Sequence, residues 1–230
     1  MENDKKALVL FSGGLDSATT LLIAKSEGFK CTALTFNYSQ RHSFEIEVSK
    51  NFLKDYPEIR HKIFNIDLSI IGGSALTDDE IAVPNIPTDG IPTTYVPARN
   101  TVFLSIASSF AEALQIYDIF LGVNQIDYSG YPDCRPEYID SFQTMINLGT
   151  KTGIEGRKIA LHTPLINLSK VEIIKKGKTL NIDYSKTLSC YAPSVKGYAC
   201  GVCDACRFRR QGFLDAGVKD PTNYKRIEKL

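Results

Sequence analysis

The sequence has no excess of charge of one sign and no long apolar run. Its 27 lysines and arginines nearly balance its 26 aspartates and glutamates, for a formal net charge of +1. A broad basic field that would hold a nucleic acid through counterion release is therefore missing, which favours a small substrate. The first apolar run, residues 7–11, is too short for a signal peptide or a membrane span. We therefore expect a cytoplasmic protein that binds neither nucleic acid nor membrane.

Internal repeats, low-complexity tracts and heptads are also missing, and 230 residues provide material for one main core. Short apolar runs alternate with segments of helical period, which predicts an α/β fold whose doubly wound parallel sheet is covered on both faces. The predicted strands are residues 7–11, 31–36, 61–67, 118–123 and 159–161, and the predicted helices are 17–27, 43–54, 101–116, 137–148 and one begun by Ser169 with Glu172 in a capping box.

One long stretch, residues 72–98, shows no sustained period and contains four prolines. An irregular segment of this length inside a compact domain is either a lid or binding loop, or disordered. We favour the lid.

The first predicted strand leads directly into the sequence SGGLDS, residues 12–17, which we call the glycine loop. A glycine-rich turn between strand and helix lets backbone N–H groups and a helix N-terminus face an anion. The lysine of a Walker loop is absent, and so is the GxGxxG pattern of dinucleotide-binding folds. The structural alternative is an ordinary turn in which Asp16 or Ser17 caps the helix.

The six residues resemble the SGGxDS signature of the PP-loop, or N-type, ATP pyrophosphatases, which cleave ATP between the α and β phosphates. The resemblance implies an adenine nucleotide alpha hydrolase-like fold. It further implies that Ser12, Gly13, Gly14 and Ser17 hold the pyrophosphate portion of ATP, with Asp16 near a magnesium ion. A carboxylate suits such a hard cation.

Four of the six cysteines lie close together near the C-terminus, as C-x9-C-x2-C-x2-C: Cys190, Cys200, Cys203 and Cys206. Four thiolates on short loops suit a closed tetrahedral zinc site, whose metal is structural because no position is left for substrate. The alternatives are buried or free thiols, a redox CxxC pair, which would need only two sulfurs, and an iron–sulfur cluster, which the spacing does not exclude.

Asp204, between the last two cysteines, is expected to open a terminal helix that carries Arg207, Arg209 and Arg210. These arginines either have a specific role or form an ordinary solvated face. We divide the chain into an ATP-binding α/β domain, residues 1–184, and a small C-terminal zinc-binding extension packed on it, residues 185–230.

Two basic residues at predicted helix starts are candidates to meet an anion. Arg99, in the sequence VPARN, is placed to contact a phosphate or carboxylate in a forked geometry. Lys170, after Ser169, is placed to approach the phosphates of a nucleotide. The alternatives are a surface arginine beside an Asn cap and an exposed lysine.

A polar and aromatic stretch, residues 122–135, follows the fourth predicted strand, where open α/β sheets bind their ligands. Asp133 is suited to accept hydrogen bonds from the edge of a guanine-type base and Tyr131 to stack on it, with Arg135 a third substrate-binding candidate. Cys134 is a less favoured nucleophile, because its only possible histidine partners lie far away in sequence: His42, His61 and His162.

The motifs in order resemble the 7-cyano-7-deazaguanine synthase family over nearly the whole chain: FSGGLDS, NYSQRHSFEIE, VPARN, GVNQIDYSGYPDCRPEY, TPLINLSKVEI and CGVCDAC. The resemblance implies ATP-dependent conversion of 7-carboxy-7-deazaguanine and ammonia to the nitrile base, a queuosine precursor, through adenylated intermediates. It implies that residues 12–17, Leu15 included, bind ATP and magnesium, and that Asp16, Lys170 and Arg99 serve the reaction. It also implies zinc at the four cysteines and a homodimer.

Three rival functions are weaker. A tRNA sulfurtransferase of the same superfamily would need an RNA-binding region, against which the balanced charge counts. A glutamine-dependent amidotransferase would need a glutaminase segment, for which 230 residues leave no room. A zinc-ribbon binding module would explain the cysteines but not the glycine loop.

Overall fold

The computed structural model of the protein describes residues 5–39, 44–86, 90–126 and 130–225. Within these ranges, five strands form one sheet in the order β3-β2-β1-β4-β5, and every neighbouring pair is parallel. The strands are β1 (Lys6–Leu10), β2 (Lys30–Asn37), β3 (Arg60–Asn65), β4 (Asp118–Phe120) and β5 (Ala160–His162). The chain therefore runs outward from β1 in both directions, as a doubly wound sheet does.

Helices cover both faces of the sheet, which confirms the predicted α/β class. The helices are α1 (Leu15–Ser26), α2 (Phe44–Leu53), α3 (Arg99–Leu114), α4 (Pro136–Gly149), α5 (Lys151–Ile154), α6 (Lys170–Thr179) and α7 (Asp204–Asp215). The core on one face includes buried residues of α1, α2, α6 and α7, and the core on the other includes those of α3 and α4. Among the described residues, no helix is long and apolar enough to cross a membrane.

Several element ends differ from the sequence-based prediction. Helix α1 begins at Leu15 with Gly14 in the cap position, so neither Asp16 nor Ser17 caps it. The Ser17 hydroxyl instead donates to the Gly14 carbonyl oxygen over 3.1 Å. Strand β4 ends at Phe120 rather than at residue 123. The predicted capping box at Ser169 and Glu172 is confirmed.

The irregular stretch 72–98 contains no helix or strand in the residues described there, 72–86 and 90–98. It is nevertheless tied to the body of the protein: Ser74 and Thr94 are buried, and the Ala75 N–H donates to the Thr93 carbonyl oxygen over 2.8 Å. Ile86 and Ile91 are largely exposed. Its role as a lid stays a prediction.

The C-terminal helix α7 packs against α6 and contributes to the main core. Phe213 is 1% exposed, and its ring meets that of Tyr184 edge to face with centroids 5.5 Å apart. Arg209 is buried rather than solvated, so the solvated-face alternative is wrong for it. Its guanidinium donates to the Thr187 hydroxyl, the Tyr184 carbonyl oxygen and the Asp220 carboxylate. The division at residues 184 and 185 stays a prediction.

We expect Arg209→Met to lower the free energy of unfolding by about 3 kcal/mol at pH 7, because it leaves the Asp220 carboxylate unpaired in a largely buried place. Burial raises the pKa of the Asp220 carboxyl, but Arg209 and hydrogen bonds from Tyr224 and Thr222 outweigh burial and hold that pKa below its usual value. The stabilisation that the ion pair contributes is therefore fully present above about pH 4, the pKa of an Asp carboxyl in the unfolded chain. It is lost as the pH falls through the lower pKa of Asp220 in the folded protein.

Urea unfolding of wild type and variant at pH 7 and pH 3 measures the effect, and the difference between the two proteins should shrink at pH 3. Arg60→Met, at an exposed position on β3, is the control. Equal stability of Arg209→Met and wild type at pH 7 would contradict the assignment.

Candidate nucleotide site and four-cysteine cluster

A cleft of about 220 Å³ opens at the carboxyl ends of β1 and β4, where the winding of the sheet reverses. This is the place where open α/β sheets bind ligands. The residues that line the cleft include members of the glycine loop, aromatic side chains, residues just before or after the first cysteine of the cluster, and an arginine. They include Ser12, Gly14, Asp16, Ser17, Tyr38, Arg99, Phe103, Tyr131, Leu188, Ser189 and Tyr191.

The glycine loop has a conformation that only glycine adopts easily. Gly13 has a φ of +80°, and a Cβ there would lie 2.9 Å from the Ser49 backbone nitrogen in α2. On either side of Gly13 in the chain, Ser12 and Ser17 bring their hydroxyls to within 3.2 Å of each other at the start of α1. Two hydroxyls and the first N–H groups of a helix thus meet at one point, which is an arrangement suited to an anionic group.

We expect Gly13→Ala to raise the KM for ATP at least tenfold, because the added methyl group meets backbone in α2 and must displace the loop. The left-handed φ adds a cost of about 1–2 kcal/mol in stability.

Gly28→Ala is the matched control for Gly13→Ala. Gly28 also has a positive φ, +85°, but a Cβ there meets nothing within 4 Å. The control therefore carries the backbone cost alone and should keep the wild-type KM. If both variants have the same KM, the shape of the loop does not govern nucleotide binding.

Asp16 and Lys170 form an ion pair of low exposure beside the cleft. The Lys170 ammonium lies 2.7 Å and 2.9 Å from the two carboxylate oxygens of Asp16. Lys170 is 7% exposed, so the exposed-lysine alternative is wrong. Asp16 lines the cleft whereas Lys170 does not. The structure thus brings these two candidates together, and direct contact of Lys170 with phosphates stays a prediction.

Arg99 also lines the cleft, among aromatic rings. Its guanidinium donates to the Tyr38 hydroxyl over 3.4 Å and lies 5.9 Å and 6.0 Å from the ring centroids of Tyr38 and Phe103. Burial lowers the pKa of Arg99, but the nearby Tyr38, Tyr131 and Asp133 outweigh burial and raise it above its usual value. Arg99 therefore presents a permanent positive charge to the cleft, in keeping with the predicted role of binding an anion.

The three substrate-binding candidates have different positions relative to the cleft. Tyr131 lines the cleft, with its hydroxyl 2.8 Å from that of Thr94. Asp133 is buried and accepts the backbone N–H of Asn100 over 3.1 Å at the start of α3. Asn100 lines the cleft, but Asp133 itself does not. Arg135 is exposed and donates to the Pro132 carbonyl oxygen over 3.1 Å. Base recognition by Asp133 and Arg135 stays a prediction.

Cys134 lines the cleft but is poorly suited to be a nucleophile. Burial, with a smaller effect of Asp133, raises the pKa of its thiol to about 12. His61 contacts Thr35, and His162 contacts Asp118. His42, the third proposed partner, lies outside the described residues.

The four cysteines come together as predicted. The sulfurs of Cys190, Cys200, Cys203 and Cys206 all lie within 4.8 Å of one another, and those of Cys200 and Cys206 are 3.9 Å apart. A tetrahedral zinc with Zn–S bonds of about 2.3 Å would separate its sulfurs by about 3.8 Å. The set therefore fits a metal such as zinc.

Backbone N–H groups support the cluster from outside. The Cys190 sulfur accepts the N–H of Cys200 over 3.1 Å, and the Cys200 sulfur accepts that of Cys203 over 3.4 Å. Such donors stabilise thiolates, the form that ligates a metal.

Tyr38, Ser189 and Tyr191 are among the cleft residues that sequence reasoning missed. Tyr38 follows the carboxyl end of β2, a position that the topology would have indicated. Ser189 and Tyr191 flank a metal-ligand candidate, and their sequence carries no signal of its own for a nucleotide site.

Comparisons with known proteins show which family the chain is similar to. A family model described as "Queuosine biosynthesis protein QueC" matches residues 6–217. A 7-cyano-7-deazaguanine synthase of Methylococcus capsulatus is 59% identical over 96% of this chain and 99% of its own. The synthase of Nitrosospira multiformis is 58% identical over 95% of each chain.

A solved structure, the NMN synthetase of Francisella tularensis, is similar with a TM-score of 0.51 at 14% identity, over 94% of this chain and 79% of its own. At this identity the likeness shows the shared fold alone. The family model and the close relatives confirm the family predicted from the motifs: the chain belongs to the queuosine biosynthesis protein QueC family.

Proposed function

We propose that this protein is a 7-cyano-7-deazaguanine synthase, an ATP-dependent ligase that converts 7-carboxy-7-deazaguanine and ammonia to the nitrile. The observation that carries the proposal is the glycine loop, which places the hydroxyls of Ser12 and Ser17 and the carboxylate of Asp16 on one cleft at the switch point of the sheet. The identity of 59% to a named synthase over nearly the full chain supports it.

The reaction needs two activations of one carbon atom. In the first, a carboxylate oxygen of the substrate attacks the α-phosphorus of ATP, and pyrophosphate leaves. Ammonia then displaces AMP and gives the amide. In the second, the amide oxygen attacks the α-phosphorus of another ATP, and pyrophosphate leaves again. Loss of AMP and of the two protons on the amide nitrogen then gives the nitrile. Each adenylation turns a poor leaving group into a stabilised phosphate anion.

The chain's own residues act by position and charge. The Ser12 and Ser17 hydroxyls, which lie 3.2 Å apart at the start of α1, would stabilise the departing pyrophosphate together with the first N–H groups of that helix. The Arg99 guanidinium, which lines the same cleft, would pair with the substrate carboxylate or the α-phosphate. The parallel rings of Phe36 and Phe103, with centroids 4.0 Å apart, form an apolar wall for a flat heterocycle.

Asp16 is the residue suited to hold the magnesium ion that accompanies ATP. A carboxylate has about four acceptor sites, so its contact with Lys170 leaves capacity for a hard cation. When bound, the ion would neutralise charge on the phosphates. Lys170 would hold the Asp16 carboxylate in its orientation.

The four cysteines would hold zinc in a closed site. Four protein sulfurs leave no coordination position for substrate, so the metal would stabilise the fold.

The oligomeric state and the cellular location of the protein belong to the same proposal. We infer a cytoplasmic homodimer that acts on free bases and not on a nucleic acid. The family resemblance supports the dimer, and the balanced charge supports a small substrate. Light scattering of the purified protein tests the dimer.

Mass analysis of a reaction with 7-carboxy-7-deazaguanine, ammonia and ATP tests the activity. We expect the nitrile, AMP and pyrophosphate, with the amide as an intermediate. Omission of ammonia should stop the reaction at the adenylate. Formation of ADP as the only spent nucleotide would overturn the mechanism, and absence of any nucleotide cleavage would favour a binding module.

A further inference from the structure

The segment that carries the first cysteine of the cluster also forms part of the nucleotide cleft. Leu188, Ser189 and Tyr191 line the cleft, whereas the sulfur of Cys190, between them, lies in the cysteine cluster. Residues 188–191 therefore contribute both to the cleft and to the cysteine cluster. Metal ligation at Cys190 would fix the position of its two neighbours at the cleft.

This segment makes two direct contacts with the glycine loop. The Leu188 N–H donates to the Gly13 carbonyl oxygen over 3.1 Å. The Ser189 hydroxyl oxygen accepts the backbone N–H of Leu15, the first residue of α1, over 3.3 Å. The two partners are separated by 174 positions in sequence. Ser189 therefore lies at the N-terminus of α1, next to the place where the pyrophosphate portion of ATP is expected.

The chemistry of a hydroxyl makes this position useful. A serine hydroxyl can accept one hydrogen bond and donate another at the same time. While its oxygen accepts from Leu15, its hydrogen can be donated to an anionic oxygen in the cleft. Ser189 would then provide a third hydroxyl at the N-terminus of α1, beside those of Ser12 and Ser17, from a segment that is distant in sequence.

We propose that Ser189 is a phosphate-binding residue of the nucleotide site, placed at the glycine loop by the cysteine cluster through Cys190. This inference rests on the proposed function, because it takes ATP as the ligand of the cleft. It gives the cluster a second role beside stabilisation of the fold, since the cluster positions a side chain that contacts the nucleotide.

The test is the affinity of Ser189→Ala, as the metal-loaded protein, for a non-hydrolysable ATP analogue, for pyrophosphate and for AMP by isothermal titration calorimetry. A hydrogen bond to a charged group is worth enough to weaken the analogue and pyrophosphate by about tenfold. AMP lacks the β and γ phosphates, so its affinity should stay within about twofold. In steady-state assays, we expect the KM for ATP to rise more than kcat falls.

Ser194→Ala is the matched control, because Ser194 lies in the same region and its hydroxyl accepts the Tyr198 N–H over 3.0 Å, away from the residues that line the cleft. Metal content is measured for all three proteins. Weaker pyrophosphate binding with full metal content, in Ser189→Ala alone, supports the proposal.

Two results would overturn the inference. One is unchanged affinity for the analogue and pyrophosphate, and the other is weaker binding that goes with loss of metal, which would make Ser189 a structural residue of the cluster. Both leave the proposed function intact if the wild type still binds ATP and forms the nitrile. Failure of the wild type to bind ATP would instead refute the proposed function itself.

Discussion

Asp16→Asn lowers kcat for pyrophosphate release by a factor of about a hundred to a thousand, as we expect from loss of a charge that acts on the transferring phosphate. The variant keeps the size of the side chain but removes the negative charge that is suited to magnesium. It is preferable to Asp16→Ala, which would leave a cavity beside the Lys170 ammonium. Turnover by Asp16→Ala should be lost as well.

The buried partner makes a stability control necessary for this experiment. Lys170 is 7% exposed, and loss of its partner charge costs about 3 kcal/mol in the free energy of unfolding. Circular dichroism at the assay temperature therefore has to show that the variant is folded. Asp55→Asn, which removes an exposed ion pair with Lys186, should keep wild-type turnover. Full activity of folded Asp16→Asn would refute the role of Asp16.

Cys203→Ser is expected to release the metal and to destabilise the protein at the same time. Structural zinc binding is worth about 10–16 kcal/mol in small zinc-finger peptides, so loss of one of four ligands should lower the stability of this region by several kcal/mol. Cys203 is buried between the start of α7 and the other sulfurs. Elemental analysis measures the metal, and thermal unfolding measures the stability.

Cys31→Ala separates loss of the metal from loss of a buried cysteine. Cys31 is buried in the main core, and burial raises the pKa of its thiol to about 11. This variant should lose some stability but keep one equivalent of zinc per chain. A zinc content of Cys203→Ser equal to that of the wild type would refute the cluster as the metal site.

Local chemistry explains which parts of the site were predictable. The glycine loop was predictable because its serines, glycines and aspartate are consecutive and its position follows from the strand before it. The cysteine cluster was predictable because three of its four members lie within seven positions. The start of α1 was misplaced by two residues, because Gly14 takes the extended cap conformation that the sequence reasoning gave to Asp16 or Ser17.

Tertiary contacts explain why other features of the site and the fold could not be predicted from the sequence. The sequence presents Asp133 as a polar residue in a loop, and only the fold places its carboxylate against the Asn100 N–H, 33 positions away. Arg209 has the sequence context of a solvated helix face, yet three partners from outside α7 surround its guanidinium. The pairing of Asp16 with Lys170 spans 154 positions. No local pattern carries that information.

The packing of α7 against α6 has a consequence for synthesis on the ribosome. Gly212 lies so close to the Lys170 side chain that a Cβ there would be 2.4 Å from its Cγ, so α7 covers the lysine that orients Asp16. A nascent chain that has emerged only as far as α6 already contains the five strands of the sheet, but it lacks the helix that covers this lysine. The glycine loop, although translated among the first residues, therefore acquires its final electrostatic environment only when α7 has left the exit tunnel.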